Sequence, residues 1–166
     1  RLFNNVRPSL IRTEADEITY NLHIALRFEL EGALINNKIK VEDLPEVWKK
    51  KMKEYLGVVP ETDGEGVLQD VHWSHGPMGY FPTYTLGNLY AAQFTNKMKK
   101  ELQLNELVEK GELETILFWL RTNIHRYGSL YWPGELVKKV TGESLNPKYF
   151  LNYIKDKYSK IYGIKL

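Results

Sequence analysis

One stretch concentrates the side chains that can do chemistry: Gly66-Val67-Leu68-Gln69-Asp70-Val71-His72-Trp73-Ser74-His75-Gly76-Pro77-Met78-Gly79-Tyr80-Phe81-Pro82-Thr83-Tyr84. Its histidines, acid, Trp and Tyr residues lie among Gly and Pro, which hold the backbone in turns. Loops on a rigid frame are where binding and catalytic groups gather, because the scaffold absorbs the strain of aiming them. His72 and His75 are three apart, and Asp70 is close enough to complete a trio. A catalytic zinc takes three protein ligands. The sequence offers no second cluster and no H-E-x-x-H, so hydrogen bonding suits these histidines better than a self-contained metal site.

Other chemistries find less support. Ser9, Ser74, Ser129 and Ser144 do not lie in G-x-S-x-G, the turn that exposes a nucleophilic serine. Gly64-Glu65-Gly66 neither leaves a strand nor opens a helix as a phosphate loop must. What remains is a set of donors: Arg12, His72, Tyr80 and Tyr84. Such groups neutralise negative charge, whether a substrate carboxylate or a developing oxyanion. The plainer reading of each is structural, since a buried Tyr hydroxyl finds a partner and a lone His is often part of a core.

The remaining sequence must position these groups. At 166 residues, with 43% hydrophobic and 27% charged side chains, it is one ordinary globular domain's worth of chain. A net charge of +2, from 23 basic and 21 acidic residues, gives no field for nucleic acid or anionic lipid. No apolar run reaches the roughly 18 residues of a membrane span. The absence of Cys excludes a disulfide framework and any thiolate metal site, and fits a reducing, cytoplasmic setting.

The periodicity predicts an all-α chain, a single helical region over 1–166, with room for one short strand or hairpin near 67–76 where Val67, Val71 and Trp73 alternate with polar residues. A first helix is expected over roughly 11–36, buried on both flanks: Ile18, Leu22, Ala25 and Ala33 on one, Ile24, Phe28 and Ile35 on the other. Between them runs a polar strip of Arg12, Asp16, Tyr20, His23 and Arg27, facing a cleft or solvent. A second helix opens at Pro45 and ends near Gly57; the site loop covers 57–85; a third helix opens at Pro82 or Thr83. Gly87 inside that third helix suggests a close neighbour. Shorter helices follow, interrupted at Gly111, Gly128 and Gly142, and a last one starts near Pro147.

Two motifs carry a resemblance. Ile11-Arg12-Thr13-Glu14-Ala15-Asp16 and Gly66-Val67-Leu68-Gln69-Asp70-Val71-His72-Trp73 are similar to the I-R-x-x-A-D and G-x-x-Q-D-x-H-W motifs of the carboxypeptidase Taq-like zinc metallocarboxypeptidases. Residues 17–31, Gly79-Tyr80-Phe81-Pro82-Thr83-Tyr84 and Leu145-Asn146-Pro147 resemble that family as well, so the likeness runs through the chain in order.

The resemblance implies a helical metallopeptidase that removes residues from peptide C-termini with one divalent metal, zinc or cobalt, and that forms a homodimer. Members carry H-E-x-x-H and a further Glu ligand upstream of the first motif, so these residues are expected to be a C-terminal third, without metal ligands and inactive alone. Its first partner would then be the N-terminal part of the same polypeptide. On that basis His72 and Tyr80 would stabilise the transition state and Arg12 would bind the substrate's terminal carboxylate. Tyr84 and Trp73 would wall the cleft, Asp70 would orient His72 or a neighbouring ligand, Asp16 would position Arg12, and Gln69 would support them. The rival is a free-standing helical module whose aromatic loop binds a protein or peptide without catalysis.

Overall fold

The computed structural model describes residues 2–165. Among the described residues seven α-helices follow in order: α1 Tyr20–Ile35, α2 Leu44–Leu56, α3 Pro82–Glu101, α4 Leu104–Lys110, α5 Leu113–Asn123, α6 Pro133–Thr141 and α7 Lys148–Tyr162. No strand occurs among the described residues. The chain divides into two compact units, Arg1–Leu86 and Gly87–Leu166, with the boundary inside α3.

In the first unit α1 packs on α2. Leu26 and Leu30 of α1 meet Leu44, Trp48, Met52 and Leu56 of α2, spaced four apart along each helix so that they share a face. Pro45 sits in the first turn of α2, where its missing N–H costs nothing, and Gly57 ends the helix at φ 72° with its N–H on the Lys53 carbonyl.

The first helix differs from the expectation at both ends of its logic. It begins at Tyr20, not near residue 11, because Asp16 competes with helix propagation. Its Oδ1 accepts the N–H groups of Ile18 and Thr19, while Oδ2 accepts the Thr19 hydroxyl and the Arg7 N–H. Upstream the described residues make two short 3-10 turns, Leu2–Asn4 and Arg12–Glu14. The expected flanks are also partly open, with Phe28 58% and Ile35 60% exposed. The polar line goes inside instead: His23, Arg27 and Glu31 are all buried.

The segment near 67–76 is a chain of turns. Leu68 and Gln69 donate N–H groups to the carbonyls of Asp63 and Gly66, His75 donates to Val71, and Trp73–His75 is a 3-10 turn. A strand there would have needed a partner for its ladder, and these backbone groups are spent locally.

The second unit is built on Met98, Trp119, Val137 and Tyr158. Gln93, 1% exposed, ties it together: its carboxamide donates to the Thr141 hydroxyl and the Ser144 carbonyl and accepts the Asn146 N–H. A Cβ added at Gly87 would meet nothing within 4 Å, so close packing does not explain that glycine.

Candidate active site

The centre of the first unit is a carboxylate held between two guanidiniums. Arg12 directs Nε and Nη2 at Oδ1 of Asp70, at 3.0 and 2.8 Å. Arg27 donates its Nε–H to Oδ2 at 2.5 Å, and its Nη2 lies 2.5 Å from the same oxygen as an ion-pair contact. Each element has a reason to be there. Arg27 lies on α1, one turn after His23, whose carbonyl accepts its Nη1 at 2.8 Å. Arg12 is fixed by Gln69, whose side chain accepts the Arg12 backbone N–H at 3.0 Å and donates to the carbonyls of Leu10 and Glu65. Gln69 thus clips the first motif to the second.

Aromatic rings seal the pair. The Arg27 guanidinium lies 4.7 Å from the Trp48 ring centroid and 5.6 Å from that of Phe81. Arg12 lies 5.1 Å from the Tyr84 ring and 6.0 Å from Phe81, and its Nη1 donates to the Tyr20 hydroxyl at 3.2 Å. These are cation–π distances, which strengthen as water is excluded.

The charges follow from this enclosure. Burial pushes the Arg27 pKa down to about 10 against the pull of Asp70, leaving it protonated at neutral pH. Burial also works against Arg12, but its bonds to Asp70 and Tyr20 outweigh it and raise the pKa. Asp70 feels burial in the opposite direction, and the two arginines overcome it and hold the carboxyl below its ordinary range.

Outward from this pair the groups become more accessible. The Nε2 of His72 and the Tyr84 hydroxyl share a hydrogen bond at 3.0 Å. The His72 ring stacks on Tyr80 at 5.6 Å and contacts Phe81 at 4.5 Å, while Tyr80 meets Tyr84 edge-on at 5.4 Å. Tyr80 is 48% exposed, whereas Arg12, at 8%, is buried. Arg12, His72 and Tyr80 are therefore grouped about one ring, that of Tyr84.

Two expected pairings are corrected. Asp16 does not pair with Arg12, because both its oxygens are engaged by Arg7, Ile18 and Thr19. Asp70 stands 4.0 Å from the His72 Nδ1, too far for a hydrogen bond; its oxygens serve the arginines. Trp73 donates its indole N–H to Glu31 at 3.2 Å and sets its ring edge-on to Trp48 and Phe81. Sequence reasoning left Arg27 and Phe81 out of the site. The i,i+4 spacing of His23, Arg27 and Glu31 was the available signal for Arg27.

Among the described residues no three His, Asp or Glu side chains converge as a metal ion requires. Asp70, His72 and His75 do not form such a trio, and the groups described do not fit a metal centre of their own.

The profile of the carboxypeptidase Taq (M32) metallopeptidase family matches residues 1–158. The chain belongs to this family. Carboxypeptidase 1 of Bacillus subtilis is 48% identical over 163 residues, covering 98% of this chain, and thermostable carboxypeptidase 1 of Thermus thermophilus is 53% identical over 161 residues, covering 96%. A crystal structure of the M32 carboxypeptidase from Deinococcus radiodurans superposes with a TM-score of 0.96 at 40% identity over 99% of this chain. The chain spans about a third of the length of these M32 relatives: 32% of the first two and 33% of the third. Among the described residues no helix is long and apolar enough to cross a membrane.

Proposed function

We propose that this chain forms one wall of the active site of a metallocarboxypeptidase that removes C-terminal residues from peptides. The observation that carries the reading is the grouping of Arg12, His72 and Tyr80 around Tyr84, with Arg12 buried and Tyr80 half exposed. The metal, zinc or cobalt, and the general base belong in this reading to polypeptide beyond these 166 residues, so the chain alone should leave peptides uncut. A cytoplasmic setting and a homodimer are part of the same reading.

Each residue then has a task. Arg12 spends Nε and one N–H each of Nη1 and Nη2 on Asp70 and Tyr20, which leaves one N–H on each terminal nitrogen for the substrate's carboxylate. His72 and Tyr80 donate toward the oxygen that becomes negative when water attacks the scissile carbonyl. Tyr84 holds the His72 ring through its hydroxyl and offers its own face as the wall between them.

The test uses the intact enzyme. His72→Ala and Tyr80→Phe should each lower kcat/KM by about 100-fold. A loss below about threefold, less than ~1 kcal/mol of transition-state stabilisation, would remove the oxyanion role. Arg12→Ala should weaken cleavage of peptides with a free C-terminal carboxylate far more than binding of the matching C-terminal amides. Equal losses on both would mean that Arg12 only supports the fold.

A further inference from the structure

We propose that Arg27, which reaches no surface, is a positioning residue that sets how much positive charge Arg12 presents to an incoming carboxylate. The inference rests on the reading of Arg12 given above and adds a residue to it.

The argument starts from how a lone Arg–carboxylate pair behaves. Two parallel N–H···O bonds, one to each oxygen, give the strongest pairing and leave the guanidinium most nearly neutralised. Asp70 does not pair with Arg12 in that way. Both Arg12 bonds converge on Oδ1, while Oδ2 is held by Arg27. For Asp70 to turn its second oxygen to Arg12, it would have to abandon Arg27 in a place without water, and an uncompensated buried charge is costly.

Arg27 cannot follow such a turn. It is 0% exposed, its Nη1 is tied to the His23 carbonyl, and the Trp48 and Phe81 rings lie 4.7 and 5.6 Å away. Among the described residues neither arginine has an ion pair with any other carboxylate. One negative charge is thus shared between two positive ones. Of the two, Arg12 is the one beside His72 and Tyr84, so the surplus is presented where the substrate's carboxylate would lie.

The experiment measures carboxylate discrimination in the intact enzyme: KM for a peptide with a free C-terminus, and competitive inhibition by an N-acyl amino acid compared with its amide. Arg27→Met frees Asp70 to neutralise Arg12. It should raise KM at least tenfold and cut the preference for acid over amide by a similar factor, with kcat within about threefold. Arg27→Lys, which keeps a charge on Oδ2, should restore the preference to within about threefold of the native enzyme. Should Arg27→Met fail to fold, Arg27→Gln, neutral but still able to donate, makes the same comparison. Native discrimination in the neutral variant, with Arg12→Ala abolishing it, overturns the inference and leaves the role of Arg12 standing. Equal falls in kcat and in amide binding also overturn it, because that is the mark of general loosening. Unchanged discrimination in Arg12→Ala removes the reading of Arg12 and this inference with it.

Discussion

His23 is buried on α1 one turn before Arg27, and the fold opposes its protonation. Burial, then the charge of Arg27, pushes its pKa from 6.5 to about 4. The sign follows directly: between those values the unfolded chain takes up a proton that the folded chain refuses, so stability falls as pH drops through that window. The full effect is about 3 kcal/mol, reached near pH 4. Asp16 and Asp70, held below their ordinary values, lose their contribution only as pH falls below about 4, so the histidine acts first. In the intact protein the urea midpoint should fall between pH 7.5 and 4.5, and His23→Leu should lose at least half of that dependence. An unchanged slope in His23→Leu would mean that another group controls it. At this scale the sequence displayed Arg12, Asp70 and His72 because two motifs carry them, and Tyr80 because it lies in the Gly- and Pro-rich stretch that follows. It hid Arg27, since a polar strip at i,i+4 spacing reads as solvated until a counter-charge 43 residues away is known to reach it.

Helices were legible where Pro and Gly mark their ends. The expected second helix ends as foreseen at Gly57, the sixth is closed by Gly142, and the last starts just after Pro147. Where a side chain rather than a backbone type decides, the boundary was missed. Asp16 is the case: its carboxylate, held low by the Thr19, Arg7 and Ile18 bonds that outweigh burial, turns the chain before α1 and stops the helical pattern from running back to Ile11. Apolar spacing alone contains no trace of that competition. The element-level prediction separates the two readings of this residue. Asp16→Ala should lower stability by about 1–2 kcal/mol, as loss of an N-terminal capping carboxylate does. It should also leave the preference for free carboxylate over amide unchanged, because Asp16 makes no contact with the Arg12 guanidinium. A changed preference at unchanged stability would restore the role that the sequence suggested.

For the whole molecule the helical class was plain from periodicity, whereas the fate of the apolar flanks was not. Periodicity says which residues share a face and counts an apolar face as interior; it cannot say whether the partner for that face lies within the same stretch of chain. On α1, Phe28 and Ile35 are seven apart and exposed, with Gly32 between them, where an added Cβ would meet nothing within 4 Å. In the second unit Leu113 and Phe118 of α5 are 59% and 70% exposed, and Trp132 before α6 is 79% exposed. Apolar faces of this kind drive association. A solution of residues 1–166 should therefore show an apparent mass that rises with concentration in light scattering and should bind a hydrophobic dye. Phe28→Glu with Phe118→Glu should move it toward the monomer without reducing helical circular dichroism, since neither side chain belongs to a buried core. In the proposed reading the longer polypeptide covers these faces, and the same pair of substitutions there should destabilise the enzyme instead. If the double variant associates as readily as the parent chain, these faces are not what draws the copies together.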